Sequence, residues 1–169
     1  PAIIKVAEGY KLGVQAVNPN CDVYTAYTGS TEDVQKSKEA AQAMIDKGVD
    51  LIGGGGNASN AGMIKACEEA GVYAFGELEQ QNLAPETVIF CNMNNIENLV
   101  LQAVKDTIDG DFQGCIREYG IAADVAQLTE YNSHVPQEVK DKLAECMDQM
   151  RSGELDIPMI TEISDDIIH

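Results

Sequence analysis

Residues 49–62, VDLIGGGGNASNAG, set four consecutive glycines after an apolar run and before a helical pattern, MIKACEEAG. Main chain without Cβ atoms lets another molecule come close to the peptide groups. A strand that runs through a bare loop into a helix is where an open α/β sheet presents its ligand, because the first helical N–H groups point into the loop. The chemistry on offer is hydrogen bonding to a small guest. A flexible surface turn is the competing reading of a glycine run. The strand before it and the helix after it favour the ligand loop.

Chemistries that make or break bonds lack their residues. The glycine run has no Lys-Ser/Thr of a phosphate-binding P-loop. It also lacks dinucleotide spacing with an acid on a second strand, which disfavours an enzyme for phosphorylated or nucleotide substrates. The five cysteines, Cys21, Cys67, Cys91, Cys115 and Cys146, form no CxxC or Cys/His cluster. They predict free, mostly buried thiols and no metal site. His134 and His169 stand alone without a nucleophile motif, so a hydrolytic triad has no support.

A formal charge of −17 argues against nucleic acid, which needs clustered Lys and Arg. The acids are spread along the chain, as solubility requires. At 169 residues and 44% hydrophobic content the chain suits a single domain, and with 5% aromatics and no Trp its core must be aliphatic. No apolar run approaches the roughly 18 residues of a membrane span.

The elements that must hold the glycine loop follow from periodicity and breakers. Residues 2–17 place Ile3, Ala7, Tyr10, Val14 and Val17 on one helical face, stopped by Asn18-Pro19. Residues 21–28, CDVYTAYT, are rich in β-formers and predict a strand. Thr31, Glu32 and Asp33 open a helix with the face Val34, Ser37, Ala41, Met44 and Ile45, closed by Gly48. After the loop comes a helix expected to bury Ile64, Cys67 and Ala70, ending at Gly71. Strands are expected at 72–75, 87–91 and near 115–119. A helix over 95–109 presents Ile96, Leu99, Val100, Ala103 and Thr107. The last helix starts at Pro136, with an inward stripe of Val139, Leu143, Met147 and Met150. The tail SDDIIH has no assignment. Alternating strands and helices predict an α/β fold, a doubly wound and mainly parallel sheet covered on both faces.

The ordered segments AEGYKLGVQAVNP, YTGSTEDVQKSKEAAQAMIDKGVDLI, the glycine loop, EEAGVYAFG, LAPETVIF and PQEVKDKLAECMDQMRSGELDIP resemble the basic membrane protein family. These are substrate-binding lipoproteins of ABC importers, several of them purine nucleoside receptors. The resemblance implies one lobe, the second, of a type I periplasmic-binding-protein-like fold over residues 1–160, with 161–169 as a C-terminal tail. It places the first lobe, and the central first strand of this lobe, outside these 169 residues. That gap would be filled by the first lobe, another copy of the chain or an exchanged element, since a buried sheet leaves no N–H or C=O unpaired.

The implied function is non-enzymatic, with no cofactor and no metal. The full-length parent would be a cell-surface lipoprotein or periplasmic protein that binds a small polar ligand such as a purine nucleoside between its lobes and delivers it to an ABC permease. The alternative is the ligand-sensing domain of a regulator or signalling receptor on the same fold. A single lobe is expected to bind weakly. The resemblance puts ligand contacts at Gly53, Gly54, Asn57, Ser59 and Asn60 in the loop. It assigns the ribose-binding acid to Glu77, with Glu79 second, and puts Asn94 where the family carries a Lys. A carboxylate facing two vicinal hydroxyls makes charge-assisted hydrogen bonds. Three positions depart from the nucleoside pattern: Gly53 stands where an aromatic is common, the match to Glu77 needs a one-residue gap, and Asn94 lacks the Lys charge. Asn92, Met93, Tyr27 and Thr28 lie nearby, with turn, core or strand-end roles open to them.

Overall fold

Capping residues set most helix limits. Asp33 accepts the Lys36 N–H at 2.9 Å and opens one helix, and Asn95 accepts the Asn98 N–H at 3.0 Å and opens another. Gly71, Gly110 and Gly153 close three helices in the left-handed conformation, with φ of 72°, 79° and 78°. The computed structural model describes residues 2–163. Pro1 and residues 164–169, most of the tail expected at 161–169, lie outside the described residues.

The elements in order are α1 (Ala2–Val17), α2 (Val34–Ile45), β1 (Leu51–Gly53), α3 (Asn60–Ala70), β2 (Tyr73–Glu77), β3 (Val88–Asn94), α4 (Ile96–Asp109), β4 (Ala126–Leu128) and α5 (Gln137–Ser152). Short 3-10 turns occupy Gln80–Leu83 and Ile121–Ala123. The sheet runs β1-β2-β3-β4, with the first three strands parallel and β4 antiparallel to β3. This is the mainly parallel α/β architecture expected from the sequence. Among the described residues no helix is long and apolar enough to cross a membrane.

Strand alternation gives the sheet two unlike faces. Ile52 and Ala74, register partners, point to α2 and α3. There they join Ile64, Ala66, Cys67 and Val88 in an aliphatic core, with Val88 and Cys67 fully buried. The two helices cross at backbone contact: a Cβ on Gly62 would lie 1.9 Å from the Val34 carbonyl oxygen. On the other face Gly53 and Phe75 are partners, and Phe75 pairs with Phe90. Tyr10 of α1 covers this face, its ring centroid 4.3 Å from that of Phe75.

Several local expectations are corrected. Residues 21–28 are not a strand: among the described residues no main chain is in register with them, so they join no ladder. Residues 115–119 form no strand either; Arg117 and Tyr119 are tied to Asp106 of α4, holding the segment against that helix. The fourth strand comes later, at β4. In α3 it is Met63 and Ala66, with Ile64 and Cys67, that are buried, while Ala70 is exposed. The α4 stripe forms as expected but is largely exposed, Ile96 and Val100 included, while Leu99 is half-buried. All five cysteines are free, yet only Cys67 and Cys91 are buried. Burial pushes the Cys67 thiol up to about 11.

Candidate functional site

The three parallel strands end side by side, β1 at Gly53, β2 at Glu77 and β3 at Asn94. Their carboxyl ends carry the glycine loop. Three of its glycines have side chains packed close against them. A Cβ on Gly53 would lie 1.8 Å from Phe75 Cζ, one on Gly54 would lie 2.3 Å from Asn60 Oδ1, and one on Gly56 would lie 2.3 Å from Ser59 Oγ. Gly55 differs, since its nearest neighbour would be Ile3 Cδ1 at 3.6 Å. Phe75 of β2 lies against Gly53.

Gln80 ties the loop to the end of β2. Its Oε1 accepts from Asn60 Nδ2 at 3.1 Å and from the Glu77 N–H at 2.9 Å. Its Nε2 donates to the Asn57 carbonyl at 3.2 Å. Asn60 and Ser59 are buried, with their polar groups turned into the protein; the Ser59 N–H donates to the Thr31 carbonyl at 3.0 Å. Asn57 is exposed and donates through Nδ2 to Glu32 at 3.1 Å. Glu77 is half-buried, and burial raises its carboxyl above the usual range. Its carboxylate has no hydrogen-bond partner among the described residues. The Tyr10 hydroxyl is also raised well above its ordinary value, first by burial, then by the Glu77 and Cys91 charges. Just past Glu77 the chain turns sharply through Leu78, whose φ is +54°.

Gly53, Gly54, Asn57, Ser59, Asn60 and Glu77 thus come together in one loop-and-strand-end assembly. Glu79 and Asn94 lie at the same strand ends without a side-chain hydrogen bond to the loop among the described residues. Glu79 is exposed ahead of the 3-10 turn, and Asn94 is exposed at the far end of β3, opposite Ala126. Sequence reasoning missed Gln80, Phe75 and Tyr10. Gln80 was visible within GELEQ, but its reach back to the loop depends on the Leu78 turn.

The family model described as ABC transporter substrate-binding protein, PnrA-like (Bmp), matches residues 1–161. This chain belongs to the Bmp family. Among curated Bmp-like relatives, a purine-binding protein of Brucella abortus is 26% identical over 156 residues, which cover 92% of this chain and 44% of that protein. A putative ABC transporter glucose-binding protein of Haloferax volcanii is 25% identical over 158 residues, covering 93% of this chain and 40% of that one. The chain therefore spans less than half the length of these two relatives. An ABC solute-binding protein structure from Aeropyrum pernix superposes with a TM-score of 0.76 at 22% identity, over 96% of this chain and 55% of that one. The Bmp chain thus has the fold of one periplasmic-binding-protein-like lobe.

Proposed function

We propose that this chain supplies one wall of the ligand site of an ABC importer's substrate-binding protein, and that its ligand is a small polyol-bearing molecule such as a purine nucleoside. The observation that carries the reading is the half-buried Glu77 carboxylate, unbonded within the described chain, at the strand ends beside the loop. A carboxylate so placed accepts from two neighbouring hydroxyls at once. Glucose carries such hydroxyls, and a purine gains them once it is joined to ribose; the two relatives are named for glucose binding and for purine binding. Gly55 leaves its peptide group open to the guest.

On this reading the protein binds and releases without catalysis. The second wall comes from the remaining length its relatives possess, the complete protein acts outside the cytoplasm, and it hands its ligand to a permease. Residues 1–160 act as the lobe, and the segment after them as a tail. Asn57 is the loop side chain best exposed to meet the ligand, Gly53 and Gly54 hold the shape of the wall, and Ser59 and Asn60 brace it from within. Glu79 and Asn94 form a second ring of contacts reached only on closure.

Calorimetric titration with purine nucleosides, free bases and glucose tests this. Binding of a nucleoside that Glu77→Ala weakens by about tenfold or more, the loss of a charged hydrogen bond, supports it. No binding by any compound, or binding indifferent to Glu77, overturns it.

A further inference from the structure

Strand pairing places a second polar side chain next to Glu77. Register partners on neighbouring strands project from the same face of a sheet, and the strands lie about 4.8 Å apart. Glu77 of β2 is the partner of Asn92 of β3. Two separate contacts fix which face that is. Phe75 and Phe90, each two residues earlier on the same strands, stack with ring centroids 5.5 Å apart and planes 8° from parallel, on the face that Tyr10 covers. Gly76 and Cys91, the pair between them, turn to the opposite face, where Cys91 joins the aliphatic core and a Cβ on Gly76 would lie 3.3 Å from its Sγ. Glu77 and Asn92 therefore stand side by side on the Tyr10 face, toward the carboxyl ends of their strands.

Both residues are half-buried. Neither side chain has a hydrogen-bond partner among the described residues, and no buried side-chain polar atom there goes without one, so both tips open to solvent. The main chain that carries them is already fixed. The Leu78 N–H donates to the Asn92 carbonyl at 2.8 Å, and the Glu77 N–H donates to Gln80 Oε1 at 2.9 Å. On its other side Asn92 has Leu128 as register partner, whose side chain offers nothing polar to the amide.

This arrangement answers a need that Glu77 leaves open. A carboxylate only accepts, whereas each hydroxyl of a diol brings one proton and two lone pairs. Glu77 takes up the protons and leaves the oxygens without donors, and the N–H groups of Glu77 and Leu78 are spent on Gln80 and Asn92. The Asn92 amide brings two N–H donors to that point. We propose that Asn92 is a further ligand-binding residue, its Nδ2 donating to a hydroxyl oxygen of the same diol whose protons Glu77 accepts. One hydroxyl is then held from both sides and the other by Glu77 alone. A ligand without the doubly held hydroxyl leaves the amide and a carboxylate oxygen unpaired, which makes the two side chains selective for an intact diol. The inference rests on the reading of Glu77 as the diol-binding acid.

Titration of the full chain with adenosine, 2′-deoxyadenosine and 3′-deoxyadenosine, followed by NMR, tests this in the parent, Asn92→Ala and Asn92→Asp. In the parent, adenosine is expected to shift the Asn92 Nδ2 proton resonances, and each deoxy analogue is expected to bind more weakly. Asn92→Ala is expected to weaken adenosine by about fivefold, the loss of one hydrogen bond, and to shrink the penalty for one deoxy analogue by about the same factor. Damage to the fold would instead weaken all three ligands alike. Asn92→Asp keeps the shape of the side chain but exchanges the donor for a second carboxylate beside Glu77. It is expected to bind adenosine at least as poorly as Asn92→Ala. Adenosine binding unchanged in either variant, or equal weakening of all three ligands, would overturn the proposal; the Glu77 reading then stands if Glu77→Ala still weakens adenosine. No adenosine binding by the parent would overturn both.

Discussion

The two flanks of β1 receive opposite treatment. On the β2 side, helices and strands from consecutive stretches of sequence close over one another until Ala66, Cys67, Ala74 and Val88 lose all contact with solvent. On the outer side apolar residues line a groove, and Leu51 remains 42% exposed. The residue types hardly differ between the flanks. What differs is whether a strand pairs with β1 there among the described residues, so burial follows from topology and not from local hydrophobicity.

The strongest way to break this contrast is at the tightest contact. Gly62→Val puts atoms into the Val34 backbone, which has no flexible end to yield, and is expected to destabilise by about 3 kcal/mol or more in urea unfolding. Gly55→Ala, at the open position, is expected to stay within about 0.5 kcal/mol of the parent. Equal effects would erase the contrast. Close behind comes Ile64→Ala, 2% exposed, expected to cost about 3 kcal/mol, against a change within about 0.5 kcal/mol for Ile108→Ala, 77% exposed on α4.

A smaller effect sharpens the picture at the loop. Gln80→Ala removes three hydrogen bonds that join β2 to the glycine run. It leaves the Asn60 amide short of a partner, for an expected loss of about 1–3 kcal/mol. Faster amide exchange in residues 53–60, with α3 unchanged, is the accompanying signature.

The smallest effect depends on pH. The Glu77 carboxyl is raised in the folded chain by burial. Its contribution to stability is therefore fully present below the ordinary Glu range and is lost as pH rises through the raised value. Asp106 is lowered, first by the Gln102 hydrogen bond, so its contribution is present above the ordinary Asp range and lost as pH falls through the lowered value. Glu77→Gln is expected to flatten the first slope and leave the second. Unfolding midpoints from pH 3 to 7 decide the matter, and an unchanged upper slope would count against the burial of Glu77.

Much of this was legible in sequence where a local rule has one outcome. Asp33, Gly71, Gly110 and Gly153 set helix limits because capping is decided by a few neighbouring residues, and the glycine run announced a strand-to-helix turn. Residues 21–28 misled because β-propensity describes a willingness to pair and says nothing about who is there to pair with. Residues 115–119 misled because Asp106, nine residues before Cys115, captures Arg117 and Tyr119 first. Three of the four glycines proved to be packing residues because Phe75, Asn60 and Ser59 crowd them, a fact about neighbours that no pattern of residue types carries. Gln80 stayed hidden for the same reason.

Native-state hydrogen exchange on the unaltered chain tests the central contrast most directly. The amides of Ile64, Ala66 and Cys67 are predicted to exchange only through global unfolding, while those of Leu51, Gly53 and residues 22–28 exchange nearly as fast as unstructured peptide. Protection of the second group equal to that of the first would contradict the account.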